Sequence, residues 1–438
     1  MKKIYILIIT IFLTLAFTYN LDVKANSESN YIKVIQKEEE VNLFGGGKLH
    51  KEIAQTMYNG DNEKNEWSNN TIQWVDFSKT NSDYKVVSYG PNNKNAWAVK
   101  EPTAMASEYE RSHPGWIVVA GINGDFFKNS GNERTLEPCN VFVQEGKVLR
   151  PNIIPAYHRG VFASDDEGNY MMGLPEVADN MTAHIYENNQ LIQNYTITTV
   201  NQNPTEDGLC LLSKDASSTY DLTGFYVIDL SCQMYRKSDE NSLFLEGIVK
   251  EIRSGTTNEK IDNQNENFYL VTKNKNIADS IKQNATIICQ YDLINDWQYI
   301  TNTVGFNYYV VEDGKAMHQK DQGVDSHVYM KYSRTLIGYE EDGSILMMTI
   351  DGKGDQNHMS NAVGTSLFEA GELMRVAGAK YACNLDSGGS VTLFIRDLNG
   401  NFKIVNRPPD GSQRAVANSV FIVMRDPLFN QDTTLTTS

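Results

Sequence analysis

Residues 381–396, YACNLDSGGSVTLFIR, place a loop of small residues between two short apolar runs. Residues 381–385 and 391–396 are therefore predicted strands, each bounded by the turn residues between them. Asp386 comes directly after the first strand. Because glycine accepts positive φ angles and lets a ligand approach the backbone closely, the loop predicts a carboxylate at a strand end that faces a cleft. A tight turn capped by Asp386 is the competing interpretation.

The sequence before this loop predicts further regular structure. Residues 335–339 and 345–350 flank an Asp-Gly turn and form a predicted hairpin. Ser366 and Glu369 have the spacing of a capping box, which predicts a helix that ends at Gly378.

The N-terminal half has the same strand-like pattern. Residues 71–77, 84–88 and 116–122 are predicted strands, and residues 102–111 are a predicted helix with proline in its first turn. A short helix is also expected near residues 50–57.

The predicted fold class is α+β, with a mixed, mainly antiparallel β-sheet core and a few helices. Residues 71–425 are expected to form one domain, whose core joins residues 72–160 to residues 300–425. Between these parts, residues 165–300 alternate short β-like runs with turns rich in Asn, Ser and Thr. This stretch is predicted to be an inserted β-rich segment.

The composition and the N-terminus predict an exported globular protein. The 438 residues carry a formal net charge of -16, which argues against nucleic acid or an anionic membrane as the main partner. Residues 1–25 have a basic start, an apolar run and a small-x-small cleavage site, so we expect a signal peptide, with an uncleaved anchor as the alternative. Residues 26–70 are a predicted polar lead-in and residues 426–438 a polar tail. The mature chain is expected to be secreted or associated with the cell envelope, without membrane insertion.

No cofactor and no metal site are expected. The five cysteines include no CxxC pair, and the histidines lack a metal-ligand spacing. Cys210 and Cys232 are either a disulfide or two buried strand residues.

Arginines and carboxylates recur at predicted strand ends in the C-terminal block. Arg334 opens the hairpin and Asp351 follows it, while Arg407 and Arg414 follow the predicted strand 402–405. A guanidinium fits a phosphate bidentately, and a carboxylate can act as base or nucleophile. Taken singly, each arginine is better explained by a surface position or an ion pair, and Asp351-Gly352 by a turn. Their repetition at strand ends within one compact block favours a functional site.

Together these motifs resemble the phosphodiester glycosidase family. The resemblance spans about residues 70–425 and rests on motifs in a fixed order: INGDFF (122–127), RTLIG (334–338), DGK (351–353), NLDSGGS (384–390), NRPP (406–409) and RAVAN (414–418). It implies hydrolysis of the glycosidic bond of a sugar-1-phosphodiester, similar to a GlcNAc-1-phosphodiester, in a sugar-phosphate or glycopolymer substrate of cell-wall or exopolysaccharide metabolism.

The resemblance also supplies candidate site residues. Asp386 and Asp351 are the candidate catalytic carboxylates. The candidate substrate-binding residues are Asn123, Asp125, Arg334, Thr335, Asn384, Gly388, Gly389, Ser390, Asn406, Arg407 and Arg414. If the predicted fold holds, Asn123 and Asp386 meet in space although about half the chain separates them.

Several positions depart from the family pattern. Asp125 and Ser387 stand where the family usually has glycine, Lys353 where arginine is common and Ala415 where proline is common. The segment Val304-Gly305-Phe306 lacks the paired glycine that is usual in the family. A non-catalytic carbohydrate-binding or envelope-assembly protein on the same fold is therefore the alternative function.

Overall fold

The computed structural model describes most of the chain. The described residues are 29–57, 67–79, 84–129, 134–152, 160–217, 219–239, 242–261, 267–317, 330–352 and 363–429. The predicted signal peptide, Lys353 and the last nine residues of the predicted tail lie outside these ranges. Within them, no helix combines the length and the apolar character that a membrane crossing needs.

Two antiparallel sheets form the main body. The first has eight strands, in the spatial order β1 (Ile32–Asn42), β2 (Lys48–Met57), β3 (Trp67–Phe77), β23 (Ile345–Ile350), β22 (Arg334–Tyr339), β24 (Tyr381–Asn384), β20 (Tyr308–Glu312) and β21 (Lys315–Ala316). The second has five, in the order β26 (Phe402–Ile404), β25 (Leu393–Arg396), β5 (Trp116–Asn123), β27 (Ser419–Arg425) and β4 (Tyr84–Tyr89).

The main hydrophobic core lies between these two sheets. Phe77, Ile337 and Met347 from the first sheet and Ile122 and Ile422 from the second belong to one buried cluster. Each side chain points inward because residues two apart on a strand share one face.

Each sheet carries a helix on its outer face. Helix α1 (Pro102–Ser112) packs Met105 and Tyr109 on the five-stranded sheet, and helix α3 (Leu367–Val376) packs Leu373 on the eight-stranded sheet. The predicted capping box is present at the start of α3, and the helices predicted at residues 102–111 and after Ser366 are confirmed. The body therefore has four layers, in the order helix, sheet, sheet, helix.

The segment between the two halves of the body folds as a closed barrel. Its strands are β10 (Val177–Glu187), β11 (Gln190–Val200), β12 (Leu209–Leu212), β17 (Phe268–Thr272), β14 (Tyr226–Asp239), β15 (Ser242–Ser254) and β18 (Thr286–Leu293). Leu230, Leu245 and Ile287 fill its interior. Helix α2 (Lys275–Ser280) lies between β17 and β18 in sequence.

The chain enters and leaves the barrel through neighbouring strands. Strands β8 (Gly160–Asp165) and β9 (Tyr170–Gly173) precede the barrel, and β19 (Ile300–Phe306) follows it. Because β19 pairs with β8, the two connections lie side by side, as an insertion requires. Two small pairs complete the structure, namely β6 (Phe142–Gln144) with β7 (Lys147–Arg150) and β13 (Thr219–Tyr220) with β16 (Glu259–Lys260).

The mainly antiparallel sheet core is confirmed, but the α+β class is not. With three α-helices in the described part of the chain, the molecule is mainly β. The helix expected near residues 50–57 is wrong, because these residues form β2, which pairs with β1 on one side and β3 on the other. Two strands of the predicted lead-in thus belong to the eight-stranded sheet.

All five cysteines are buried, and none of them forms a disulfide in the described structure. Cys210 lies on β12 and Cys232 on β14, inside the barrel segment. Of the two interpretations left open by the sequence, the buried strand residues are the ones observed.

Candidate functional site

The site lies where strands of both sheets end. Asn123 is the last residue of β5 and pairs with Ser419, the first residue of β27. In the other sheet, Arg334 is the first residue of β22 and pairs with Ile350, the last residue of β23. Strand β24 ends at Asn384, and the loop that contains Asp386 follows it. Because the strands are antiparallel, these starts and ends fall at one edge of the sandwich.

Asn123 joins the two sheets at this edge. Its Nδ2 donates to the backbone oxygen of Asp386 at 2.8 Å, while its Oδ1 accepts from Thr335 Oγ1 at 2.7 Å and from the Thr392 amide at 3.0 Å. The predicted approach of Asn123 to Asp386 is therefore confirmed. The side chain of Asn123 is fully buried, so its geometry is that of a positioning residue.

Asp386 is the carboxylate at the surface of this edge. It is partly exposed, its amide donates to the Gly124 oxygen at 3.1 Å, and its Oδ1 accepts from the Ser387 amide at 2.9 Å. The loop then turns through Gly388, whose φ of 65° favours glycine. The Gly388 amide donates to the Ser333 backbone oxygen at 3.2 Å, so this donor of the loop is already used.

The second half of the loop packs against a guanidinium. A methyl group on Gly389 would overlap Arg414 Nη2, so the absence of a side chain is what lets Arg414 lie over the loop. Asp410 holds Arg414 from the other side, with its Oδ2 at 2.8 Å from Nε and 2.7 Å from Nη2.

Asp351 lies below the surface and anchors the loop of Arg407. Its Oδ1 accepts from the Arg407 amide at 3.0 Å and its Oδ2 from Gln73 Nε2 at 3.1 Å. Burial raises the pKa of Asp351, and the two hydrogen bonds oppose this effect. Asp351 is 2% exposed, whereas Arg407 is exposed. The buried carboxylate therefore fixes the backbone of Arg407, and the Arg407 side chain lies at the surface of the site.

Arg334 is buried within the site. Its Nε donates to the Thr365 oxygen at 3.1 Å and its Nη2 to the Met330 oxygen at 2.7 Å. Burial lowers the pKa of this guanidinium to about 10. At 3% exposure it is not presented to solvent, so phosphate binding by Arg334 stays a prediction.

Asp125 is a second carboxyl group behind Asp386. Its two oxygens accept from the amide and the side chain of Asn140 at 2.9 and 3.0 Å, and its own amide donates to Asn418 Oδ1 at 2.8 Å. Burial raises the pKa of Asp125 to about 7; the Asn140 hydrogen bonds and Arg150 lower it, and the charge of Asp386 raises it further. Near neutral pH, Asp125 is therefore divided between its protonated and ionised forms.

The remaining predicted residues support the backbone. Asn406 bridges the Leu393 amide at 2.8 Å and the Val391 oxygen at 3.0 Å. Thr335, Asn384 and Ser390 are also buried, and Asn384 Oδ1 accepts from Ser387 Oγ at 3.2 Å. Direct substrate contact by these four residues stays a prediction.

Sequence reasoning missed several residues that build the site. Each of these residues hydrogen-bonds to a site residue in the folded structure, and the four are Gln73, Asn140, Ser333 and Thr392. No local spacing marks them. Asp410 was detectable in principle, since it stands four residues before its partner Arg414. In the described part of the chain, no group of three His, Cys, Asp or Glu side chains is placed to hold a metal ion.

The sequence model of the family described as phosphodiester glycosidase matches residues 241–423. The resemblance to this family is therefore confirmed. The matched range contains Arg334, Asp351, Asp386 and Arg414, whereas Asn123 and Asp125 lie outside it.

Three solved structures are similar in outline. A hypothetical protein from Synechocystis is 16% identical with a TM-score of 0.47, over 86% of this chain and 62% of that chain. A candidate exported protein from Burkholderia pseudomallei is 18% identical with a TM-score of 0.44, over 81% and 74%. The zebrafish N-acetylglucosamine-1-phosphodiester alpha-N-acetylglucosaminidase catalytic domain, auto-inhibited by its pro-peptide, is 12% identical with a TM-score of 0.40, over 89% and 87%. No curated protein matches the chain.

Proposed function

We propose that the protein is an exported hydrolase that cleaves the glycosidic bond of a sugar-1-phosphodiester. The substrate class is a GlcNAc-1-phosphodiester or a related sugar phosphate in a cell-wall or exopolysaccharide polymer. The family match over residues 241–423 supports the reaction class. The observation that carries the proposal is the loop after β24, which holds a partly exposed carboxylate and packs against the Arg414 guanidinium.

The leaving group of a sugar-1-phosphodiester can depart without a strong general acid, so one carboxylate and a phosphate-binding guanidinium are enough for the reaction. A phosphodiester oxygen is a weak base, so its departure needs little protonation, unlike the alcohol of an ordinary glycoside. The site must instead stabilise the growing phosphate charge and supply a carboxylate to the anomeric carbon or to an attacking water.

Asp386 takes the carboxylate role. Of the four aspartates at this edge, Asp125 and Asp351 are 1% and 2% exposed. Asp410 is exposed but is paired with Arg414, whereas Asp386 is partly exposed and lies at the strand end. The Asn123 hydrogen bond fixes its backbone, so the carboxylate is held at the strand end. It either attacks the anomeric carbon or accepts the proton of the attacking water.

Arg407 and Arg414 bind the phosphate group of the substrate. Arg407 is exposed at the rim, with its backbone fixed by Asp351. Arg414 uses Nε and Nη2 for Asp410, which leaves Nη1 to donate to a phosphate oxygen. A charge-assisted hydrogen bond of this kind strengthens as the phosphate separates.

The direct test is release of free sugar from a GlcNAc-1-phosphodiester by the purified protein. We expect release of GlcNAc together with the intact phosphomonoester, and no release from a simple alkyl glycoside of GlcNAc, which lacks the phosphate leaving group. Binding of the diester without release would support the alternative carbohydrate-binding protein. Release of GlcNAc-1-phosphate would contradict the glycosidase, since the other ester bond would then have been cut.

Gly389→Ala is expected to weaken substrate binding without unfolding the loop. Gly389 has no positive φ, and the atoms nearest to the added methyl group belong to the Arg414 guanidinium and the Asp410 carboxylate. These flexible ends can move at a cost of about 1 kcal/mol or less. We expect KM for the diester to rise about tenfold, the value of one charge-assisted hydrogen bond, with a melting temperature within a few degrees of the wild type.

Arg414→Gln provides the matched control for this prediction. It should raise KM by a similar factor, and Gly389→Ala should add little in the Arg414→Gln background, because both act through one guanidinium. Independent, additive effects of the two substitutions would show that Gly389 acts in another way.

A further inference from the structure

A cleft lies between the barrel and the main body, beside the candidate site. Its volume is about 220 Å³, and its walls include Trp97, Phe142 and Gln144 from the body and Met234 and Arg236 from β14 of the barrel. Neither the sugar-phosphate chemistry at Asp386 nor the loop after β24 involves these residues.

Arg236 is the unusual member of this wall. It is 3% exposed, and its guanidinium carbon lies 5.5 Å from the centre of the Trp97 ring. Its Nη1 donates to the backbone oxygens of Lys94 at 3.2 Å and Tyr235 at 2.9 Å. No carboxylate in the described part of the chain lies within ion-pair distance of it. A buried charge without a counter-charge is costly, and natural proteins usually pair it.

The other cations of the cleft already have partners. Lys147 pairs with Glu246 at 2.7 Å, and His113 pairs with Glu145. Burial lowers the pKa of Arg236 to about 10, so the side chain is still a cation at neutral pH. Its Nε and Nη2 have no acceptor in the described part of the chain, and these are the donors that bind an anionic oxygen in a fork.

The cleft also offers an apolar wall and a second donor. Trp97 and Phe142 have ring centres 6.5 Å apart, and the indole nitrogen of Trp97 is buried without an acceptor among the described residues. A buried indole N–H usually finds a hydrogen-bond partner, and the ring beside it offers an apolar face to a ligand. The wall therefore combines the contacts that a phosphorylated sugar needs.

The cleft and the candidate site are joined by residues that pair across three neighbouring strands of the five-stranded sheet. Ser419 pairs with Asn123 on one side and with Tyr89, a residue of the cleft wall, on the other. Two strand spacings separate Tyr89 from Asn123, which is roughly 10 Å. Ala417, also in the cleft wall, precedes Asn418, whose oxygens accept from the amides of Gly124 and Asp125.

We propose that this cleft is a second sugar-phosphate subsite, in which Arg236 and Trp97 bind the anionic group and the ring of a neighbouring unit of the same polymer. The inference rests on the proposed function and narrows the substrate from a single diester to a chain with at least two phosphates. The barrel then contributes to substrate selection, since Arg236 is a barrel residue.

The test compares two synthetic ligands by calorimetric titration. One is the methyl phosphodiester of GlcNAc-1-phosphate, with a single phosphate, and the other is a dimer of GlcNAc-1-phosphate units with two phosphates. Both are titrated into the Asp386→Asn protein, in which turnover does not interfere. We expect Arg236→Met to raise the Kd of the two-phosphate ligand about tenfold and to leave that of the one-phosphate ligand unchanged.

Matched variants separate binding from a purely structural role. Arg236→Lys keeps the charge but loses the fork, so an intermediate Kd is expected. Lys237→Met removes the next cation on the same strand, which pairs with Asp215 at 2.9 Å, and should leave both Kd values unchanged. Removal of an unpaired buried cation should keep the melting temperature of Arg236→Met at or above that of the starting protein.

The outcomes distinguish the subsite from the enzyme. An equal change of both Kd values on Arg236→Met, no change of either, or no binding of the two-phosphate ligand would overturn the subsite. If the wild-type protein releases no sugar but the Kd difference persists, the hydrolase is wrong and the subsite stands. If sugar is released and the Kd difference is absent, the subsite is wrong and the hydrolase stands.

Discussion

Asp386→Asn is expected to lower kcat for a GlcNAc-1-phosphodiester by about 10³-fold or more, the usual loss when a catalytic carboxylate is neutralised. Fold stability should be almost unchanged. Asparagine keeps an Oδ1 that can accept from the Ser387 amide, and the backbone bonds to Gly124 and Asn123 do not involve the carboxylate. The measurements are steady-state sugar release and the melting temperature of the same preparation.

Asp397→Asn is the matched control for this loss. Asp397 also caps a turn with its Oδ1, which accepts from the amides of Asn399 and Asn401 at 2.9 and 2.8 Å. It carries the same chemical change in the turn after β25, and it should leave kcat at the wild-type value. If Asp386→Asn retains wild-type turnover, the catalytic carboxylate has been placed on the wrong residue.

Asp125→Asn is expected to remove a large part of the pH dependence of folding stability. The ordinary pKa of aspartate is 3.8, and burial raises that of Asp125 to about 7. Between these values the folded state holds a proton that the unfolded state releases, so the wild type loses stability as pH rises from about 4 to about 7. At about 1.4 kcal/mol per pKa unit, the loss is on the order of 4 kcal/mol.

The amide should be accommodated at this position. Asn140 Oδ1 is buried without a donor in the described structure, so a rotation of the Asn140 amide lets it accept from the new side chain. Relative to wild type, Asp125→Asn should therefore gain stability steadily up to about pH 7 and keep a constant advantage above it. Urea unfolding at several pH values measures the difference between the wild type and Asp125→Asn. Parallel wild-type and Asp125→Asn curves between pH 4 and 7 would show that Asp125 ionises normally.

The parts of the fold that the sequence predicted are those with local signals. The hairpin of β22 and β23 carries an Asp-Gly turn, and helix α3 carries its capping box at Ser366 and Glu369, so each is specified within a few residues. The meeting of Asn123 with Asp386 was predictable for a different reason. Both follow buried strands, and antiparallel strands bring such ends to one edge.

The errors arise where distant pairing overrides local preference. Residues 48–57 have no strand signature of their own and become β2 because β1 and β3 pair on both sides. The closure of the barrel depends likewise on β10 meeting β18, more than one hundred residues later. The burial of Asn123, Asp351 and Arg334 was also not predictable. Burial of a polar side chain depends on partners from distant parts of the chain, such as Gln73 for Asp351 and Thr365 for Arg334.

The order of strands in the five-stranded sheet affects when this sheet can fold during synthesis of the chain. Strand β27 lies between β4 and β5, yet it ends only at Arg425. Until a ribosome has completed this last strand, β4 and β5 have a gap between them, and Gly124 and Asp125 lack the Asn418 contacts that hold them. The barrel, in contrast, has all its strands by residue 293 and can fold earlier during synthesis. The site at the strand ends therefore completes its contacts only after β27 has been synthesised, and a chain that ends before residue 418 lacks the Asn418 contacts to Gly124 and Asp125.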